Sequence, residues 1–130
     1  MNEPVWILPE AVLAIHQILL AEHGGLPGMR DQNLLDSALA RPLQRHSYDE
    51  SASIFELAAS YSFGLVRNHP FVDGNKRVAL TVAAVFLELN GYFLDAPEAE
   101  AVLMYKQLAS GSIEEDTLAN WLRDYSIFIA

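Results

Sequence analysis

The stretch His69-Pro70-Phe71-Val72-Asp73-Gly74-Asn75-Lys76-Arg77 runs directly into Val78-Ala79-Leu80-Thr81-Val82-Ala83-Ala84-Val85-Phe86-Leu87. The second part has no polar face. It predicts a helix from about 76 to 90 that other helices surround, stopped where Gly91 suits the left-handed position beyond a helix end. The first part is then a loop that ends on a helix N-terminus. Such an end offers backbone N–H groups without intrahelical partners and the positive pole of the helix dipole, so it attracts anions. Lys76 and Arg77 in the first turn oppose that dipole unless an anion sits there. Poor capping chemistry is good phosphate-binding chemistry.

Each residue of the loop suggests a task. His69 can accept a proton near neutral pH, as a general base must. Asp73 supplies an oxygen ligand suited to Mg²⁺, which commonly takes one or two carboxylates together with substrate phosphates. Gly74 lets the backbone approach a ligand closely. Asn75 suits either a helix cap or a phosphate contact, and the residues alone leave both open. Lys76 and Arg77 can neutralise phosphate charge, Arg77 in bidentate fashion. Arg67, just before the loop, adds a third cation, and Phe71 reads as a core anchor for the loop. His16, His23 and His46 show no metal-ligand spacing. His16 reads as a core or interhelix hydrogen-bonding histidine, His23 as a favourable charge at a helix C-terminus. Neither a Walker-type nor a dinucleotide-type glycine pattern is present, and no serine sits in a nucleophile elbow.

Turn-forming residues cut the rest of the chain into helix-length pieces. The expected helices are 9–23, with Val12, Ile15, Ile18 and Leu19 on its core face; a short 33–40, stopped by Pro42; 53–67; 97–108; and 113–125. Residues 43–53 are polar and read as a surface loop. Tyr92-Phe93-Leu94 alone has strand character and is too short to build a sheet. The fold class is therefore all-α, a single domain over 1–130 with a central buried helix.

Composition narrows the function. A hydrophobic fraction of 52% and a charged fraction of 19% fit a folded globular domain. The absence of cysteine removes disulfides and thiolate chemistry, and with no signal-peptide pattern at Met1 to Trp6 a cytoplasmic protein is expected. The longest apolar run, Val78 to Leu87, is about half a membrane span. A net charge of −9 argues against direct nucleic-acid or anionic-membrane binding. Between Gly64 and Leu80, however, Arg67, Lys76 and Arg77 face Asp73 alone. One basic spot on an acidic molecule suits a small polyphosphate better than a long polyanion.

At these residues the chain resembles the Fic/Doc (Fido) superfamily, and within it the Doc toxins of phd–doc-type toxin–antitoxin modules. The signature is H-x-F-x-(D/E)-(G/A)-N-(G/K)-R, and His69 to Arg77 meets every fixed position. Nucleotide-transferring Fic enzymes usually carry glycine where Lys76 stands, and a second arginine where Leu80 stands. Both positions point to the Doc branch. The likeness extends to Gly24-Gly25-Leu26-Pro27-Gly28-Met29-Arg30-Asp31, to Ser37-Ala38-Leu39-Ala40-Arg41-Pro42 and to Phe86-Leu87-Glu88-Leu89-Asn90-Gly91, so it covers most of the chain.

The resemblance implies a compact helical Fido fold with a Mg²⁺-ATP site on the loop. It implies a kinase that moves the ATP γ-phosphate to a hydroxyl of a translation protein, elongation factor Tu, and so stops growth. By matching positions His69 would be the base, Asp73 the Mg²⁺ ligand, and Asn75, Lys76 and Arg77 would bind phosphates; Gly74 and Arg67 join the expected phosphate-binding set on their own chemistry and place beside the loop. Gly74 stands where Doc toxins often have alanine, which keeps AMP transfer to a protein hydroxyl as an alternative; a non-catalytic Fido interaction domain is the third reading. The self-inhibitory helix motif of many Fic proteins is missing, since Ser110 to Glu115 ends in Glu. Inhibition by a Phd-like antitoxin helix is therefore expected. The hydrophobic fraction leaves room for an apolar groove, and the acidic charge suits a basic partner.

Overall fold

The computed structural model describes residues 3–129 and contains six α-helices and two short strands among them. In chain order these are α1 (Pro9–His23), α2 (Gln32–Tyr48), α3 (Ile54–Asn68), α4 (Asn75–Leu89), β1 (Tyr92–Leu94), α5 (Glu98–Ser110), α6 (Glu115–Asp124) and β2 (Ser126–Phe128). The all-α expectation holds. The central position is shared by two helices. α3 packs against α2, α4 and α6, while α4 packs against α3, α1, α5 and β1. The apolar stripe Leu57, Ala58, Tyr61 and Leu65 of α3 is completely buried, as are Val78, Val82, Ala83 and Phe86 of α4.

Local chemistry accounts for most of the boundaries. The Asp31 side chain accepts the Asn33 N–H at the start of α2. Ser53 and Glu56 form a reciprocal capping box at the start of α3: the Glu56 N–H donates to Ser53 Oγ, and the Ser53 N–H donates to Glu56 Oε1. Asn90 ends α4 and Gly91 follows with φ 94°, the left-handed exit expected there. At the other end of the chain, α5 stops at Gly111 in the same conformation.

Two expectations need correction. α2 does not stop before Pro42 but runs through it to Tyr48, so most of the expected loop 43–53 is helix. Proline lacks the N–H that would serve the Ala38 carbonyl, and normally this breaks a helix. Tertiary contacts beyond the proline carry the helix on. Pro42 itself is buried, Arg45 pairs with Glu56 at 2.7 Å, and His46 stacks edge-on against Trp6 at 5.7 Å. The second correction concerns Tyr92–Leu94. It does form a sheet, a two-stranded antiparallel one with Ser126–Phe128, in the register Tyr92↔Phe128, Phe93↔Ile127, Leu94↔Ser126.

The α2–α3 contact is unusually close where Pro42 leaves the Ala38 carbonyl without a helical donor. A Cβ built on Gly64 of α3 would lie 3.1 Å from Ala38 O and 3.2 Å from Ala38 Cα. Both are backbone atoms and cannot swing aside. We therefore expect Gly64→Val to destabilise the domain by about 1–3 kcal/mol through overpacking, against a propensity gain of well under ~1 kcal/mol. Urea unfolding measures it; unchanged stability would contradict the close approach.

Candidate functional site

The site begins where α3 ends. His69 is its C-cap in the left-handed conformation (φ 51°, ψ 57°) and is the one non-glycine residue with positive φ among the described residues. Such a conformation costs energy outside glycine and persists only where neighbours hold it. The neighbours come from the α1–α2 loop. Arg30 donates from its guanidinium to the His69 carbonyl at 2.7 Å, with the same nitrogen 3.5 Å from His69 Nδ1, and its backbone N–H donates to the Pro70 carbonyl at 2.7 Å. The Val72 N–H donates to the Gly28 carbonyl, and Met29 and Phe71 form an isolated antiparallel bridge. Phe71 is buried, as expected of an anchor, and stacks on His16 at 3.9 Å.

The loop closes on itself through Asn75. Its side-chain oxygen accepts the Phe71 N–H at 3.0 Å and its nitrogen donates to the Phe71 carbonyl at 2.9 Å. Asn75 is therefore not the cap that the sequence allowed: Gly74 is the N-cap (φ 82°) and makes no side-chain cap bond. The buried amide of Asn75 is spent on the loop, so what this residue offers an anion is its backbone N–H.

Asp73 sits one residue before that cap and stays exposed. Its Oδ2 accepts the Leu26 N–H at 3.0 Å and its Oδ1 the Gly74 N–H at 2.9 Å. These two bonds, from Leu26 first and Gly74 second, hold its carboxyl below the ordinary aspartate range, with the charges of Arg77 and His16 adding to the effect. Gly25 makes the approach of the α1–α2 loop possible, because a Cβ there would lie 2.9 Å from Asp73 Oδ2. An ionised carboxylate with one N–H on each oxygen keeps lone pairs to spare. Among the described residues no cluster of three or more His, Asp or Glu could hold a metal alone. The fit is to a hard cation such as Mg²⁺ that brings phosphate and water oxygens with it.

His69, Asp73, Gly74, Asn75, Lys76 and Arg77 all line one cleft of about 440 Å³. Its opposite wall is α5, with Val102, Tyr105 and Lys106, and Leu80 of α4 adds an apolar floor. Tyr105 fixes that wall: its hydroxyl shares a hydrogen bond with Ser62 Oγ at 2.7 Å, Ser62 donates to the Ala79 carbonyl, and burial pushes the Tyr105 hydroxyl pKa up. Arg67 is the exception among the expected residues. It does not line the cleft; its guanidinium lies 5.4 Å from the Phe63 ring centre, in a separate depression with Glu114 and Asp116. Lys106 takes the place of a third cation. Arg41, Arg45 and Arg123 are tied to carboxylates, whereas Lys76, Arg77 and Lys106 are in no ion pair among the described residues. Lys106 had no signal in the sequence, and Leu26 and Arg30 had none beyond the family likeness of residues 24–31, because only the fold brings all three to the loop.

Residues 6–87 match the Fic/DOC family, a span that includes α3, the whole loop and all of α4 but its last two residues. The chain belongs to this family. It is 36% identical over 118 residues to a protein named Protein kinase doc from Escherichia phage P1, covering 90% of this chain and 92% of the relative. It is 35% identical over 108 residues to Toxin Doc of Mycolicibacterium smegmatis, covering 79% and 82%. This Fic/DOC chain thus has Doc toxin homologues along most of its length.

The Asp73 environment makes a titration prediction. Its folded-state pKa is lowered, so the interactions that favour its charge are in force above the ordinary aspartate value and are lost as pH falls through the depressed one. Carboxyl-carbon NMR should give Asp73 a midpoint below that of an aspartate in an unfolded peptide. A midpoint at or above it would contradict the two backbone hydrogen bonds.

Proposed function

We propose that this chain is a Doc-type toxin that transfers the γ-phosphate of ATP to a serine or threonine hydroxyl of a translation protein, elongation factor Tu, and so arrests growth in the cytoplasm. The observation that carries the reading is the single cleft in which a histidine, one ionised carboxylate, a helix N-terminus and three cations that are in no ion pair among the described residues converge. The phosphoryl-transfer transition state spreads negative charge over oxygens, so positioning and electrostatics supply most of the catalysis. The backbone N–H groups of Asn75, Lys76 and Arg77, unserved within α4, can bind phosphate oxygens. Lys76 and Arg77 add charge, and Arg77 a bidentate contact. Lys106 can reach the same anion from the opposite wall.

In the reaction the target hydroxyl gives its proton to a ring nitrogen of His69 as its oxygen bonds to the γ-phosphorus. The bond from that phosphorus to the β,γ-bridging oxygen breaks, and ADP leaves with the electron pair. Mg²⁺, held by Asp73, would neutralise charge on the phosphates. Leu80, in the position where Fic nucleotidyltransferases usually place a second arginine, puts an apolar side chain in the cleft. That supports phosphate transfer over AMP transfer. Control would come from a Phd-like antitoxin, for which Val102 and Leu103, exposed on α5 beside the cleft, offer apolar anchors of the kind an amphipathic helix uses.

Two outcomes are expected. His69→Ala should keep the fold and lose transfer by roughly 10²–10⁴-fold in a translation extract supplied with ATP, the range for a positioned base. A folded His69→Ala protein with near-wild-type transfer would remove the assignment. Co-expression with a Phd-like antitoxin should restore growth and yield a co-purifying complex; failure of both would remove the antitoxin partner.

A further inference from the structure

We infer that His16, on α1, is a positioning residue for the phosphate site and acts through the backbone of Asp73. The residue is 5% exposed, and its ring lies flat on Phe71, with centroids 3.9 Å apart and planes 17° apart. Its Nε2 is 3.0 Å from the Asp73 carbonyl oxygen. A carbonyl can only accept, so Nε2 carries the proton and donates. The same ring comes within 3.9 Å of where a Gly74 side chain would begin. His16 therefore contacts the loop at the anchor Phe71 and at the backbone of Asp73, and borders the cap Gly74.

These contacts are placed to matter. The Asp73 side chain is aimed by the N–H groups of Leu26 and Gly74, so its oxygens can be no better placed than the backbone that carries them. The next peptides supply the N–H groups at the start of α4. One hydrogen bond to the Asp73 carbonyl thus orients both the carboxylate and the helix end. Asn75 holds the loop from inside, through Phe71, and Arg30 holds its entry at His69 and Pro70. His16 is the only side chain outside the loop that bonds the Asp73 backbone among the described residues. Partners of this kind, one step removed from the groups that bind a metal or ligand, typically change affinity or activity by about 10–100-fold when removed.

The inference rests on the phosphate-transfer reading, and the test separates the two. His16→Phe keeps the stack on Phe71 and removes the N–H. His16→Gln loses the aromatic stack but places an amide N–H where Nε2 stands. Calorimetry with Mg²⁺-ATP should show His16→Phe weakened by about 10–100-fold at an unchanged melting temperature, and His16→Gln restoring most of that loss. Wild-type affinity in His16→Phe would overturn the inference, as would equal loss in two equally folded variants. Should His16→Phe not fold, His16→Asn replaces it, because its shorter amide cannot reach the Asp73 carbonyl. Amide hydrogen exchange across residues 72–76, measured without nucleotide, should rise in His16→Phe and not in His16→Gln. That readout stands even if the wild-type protein binds no ATP, a result that would sink the proposed reaction and leave the positioning role to be judged by exchange alone; unchanged exchange in His16→Phe would then overturn it.

Discussion

The two hydrogen bonds between the Asn75 amide and the Phe71 backbone are the constraint on which the site depends. They turn five residues into a closed ring whose last member begins α4. Phe71 is thereby held in the core and Asp73 and Gly74 lie between it and Asn75, while Arg30 separately holds His69 at the left-handed end of α3. Both bonds are buried, where leaving a backbone group without its partner costs about 1–3 kcal/mol. The loop is consequently rigid at its base and exposed at its tip. That division suits a site that must bind a charged ligand without first being ordered by it.

The α1–α2 loop supplies the second half of the arrangement. Its backbone pairs with the motif loop through Gly28, Met29 and Arg30, and the Leu26 N–H reaches Asp73. Each of these contacts joins residues about forty positions apart in the chain. Local pattern cannot announce such contacts; packing of α1 and α3 against α4 creates them. The site is thus built by three elements that meet, although its chemistry is concentrated in one.

This division explains what could be read from the amino-acid sequence. The contiguous loop was legible, since His69, Asp73, Lys76 and Arg77 announce their chemistry by type and by their place before an apolar helix. The helices were legible wherever period and punctuation agree, as in α3 and α4; in α1 the bounds were right, but Ile18, expected on the core face, is exposed, and His16 is buried there with Val12. Pro42 misled because its local penalty is real, yet the inward contacts of Arg45 and His46 outweigh it. Tyr92–Leu94 misled because its strand partner lies more than thirty residues away at the end of the chain. Asn75 could be seen to matter but not how, since a cap and a loop clamp use the same amide. Arg67 and Lys106 exchange places for a geometric reason: Arg67 leaves α3 on the side of Phe63, whereas Lys106 faces the loop across the cleft.

Membership of the Fic/DOC family and Doc toxin relatives over most of the chain give the cleft its context. The chemistry of the cleft supplies the narrower claim, that the terminal phosphate of ATP is what moves. The direct measurement is to offer a translation extract ATP labelled at either the γ- or the α-phosphorus and follow the label onto protein. The account predicts that γ-label is transferred, that α-label is not, and that transfer requires this chain. Transfer of α-label would assign the cleft to nucleotide transfer and contradict it.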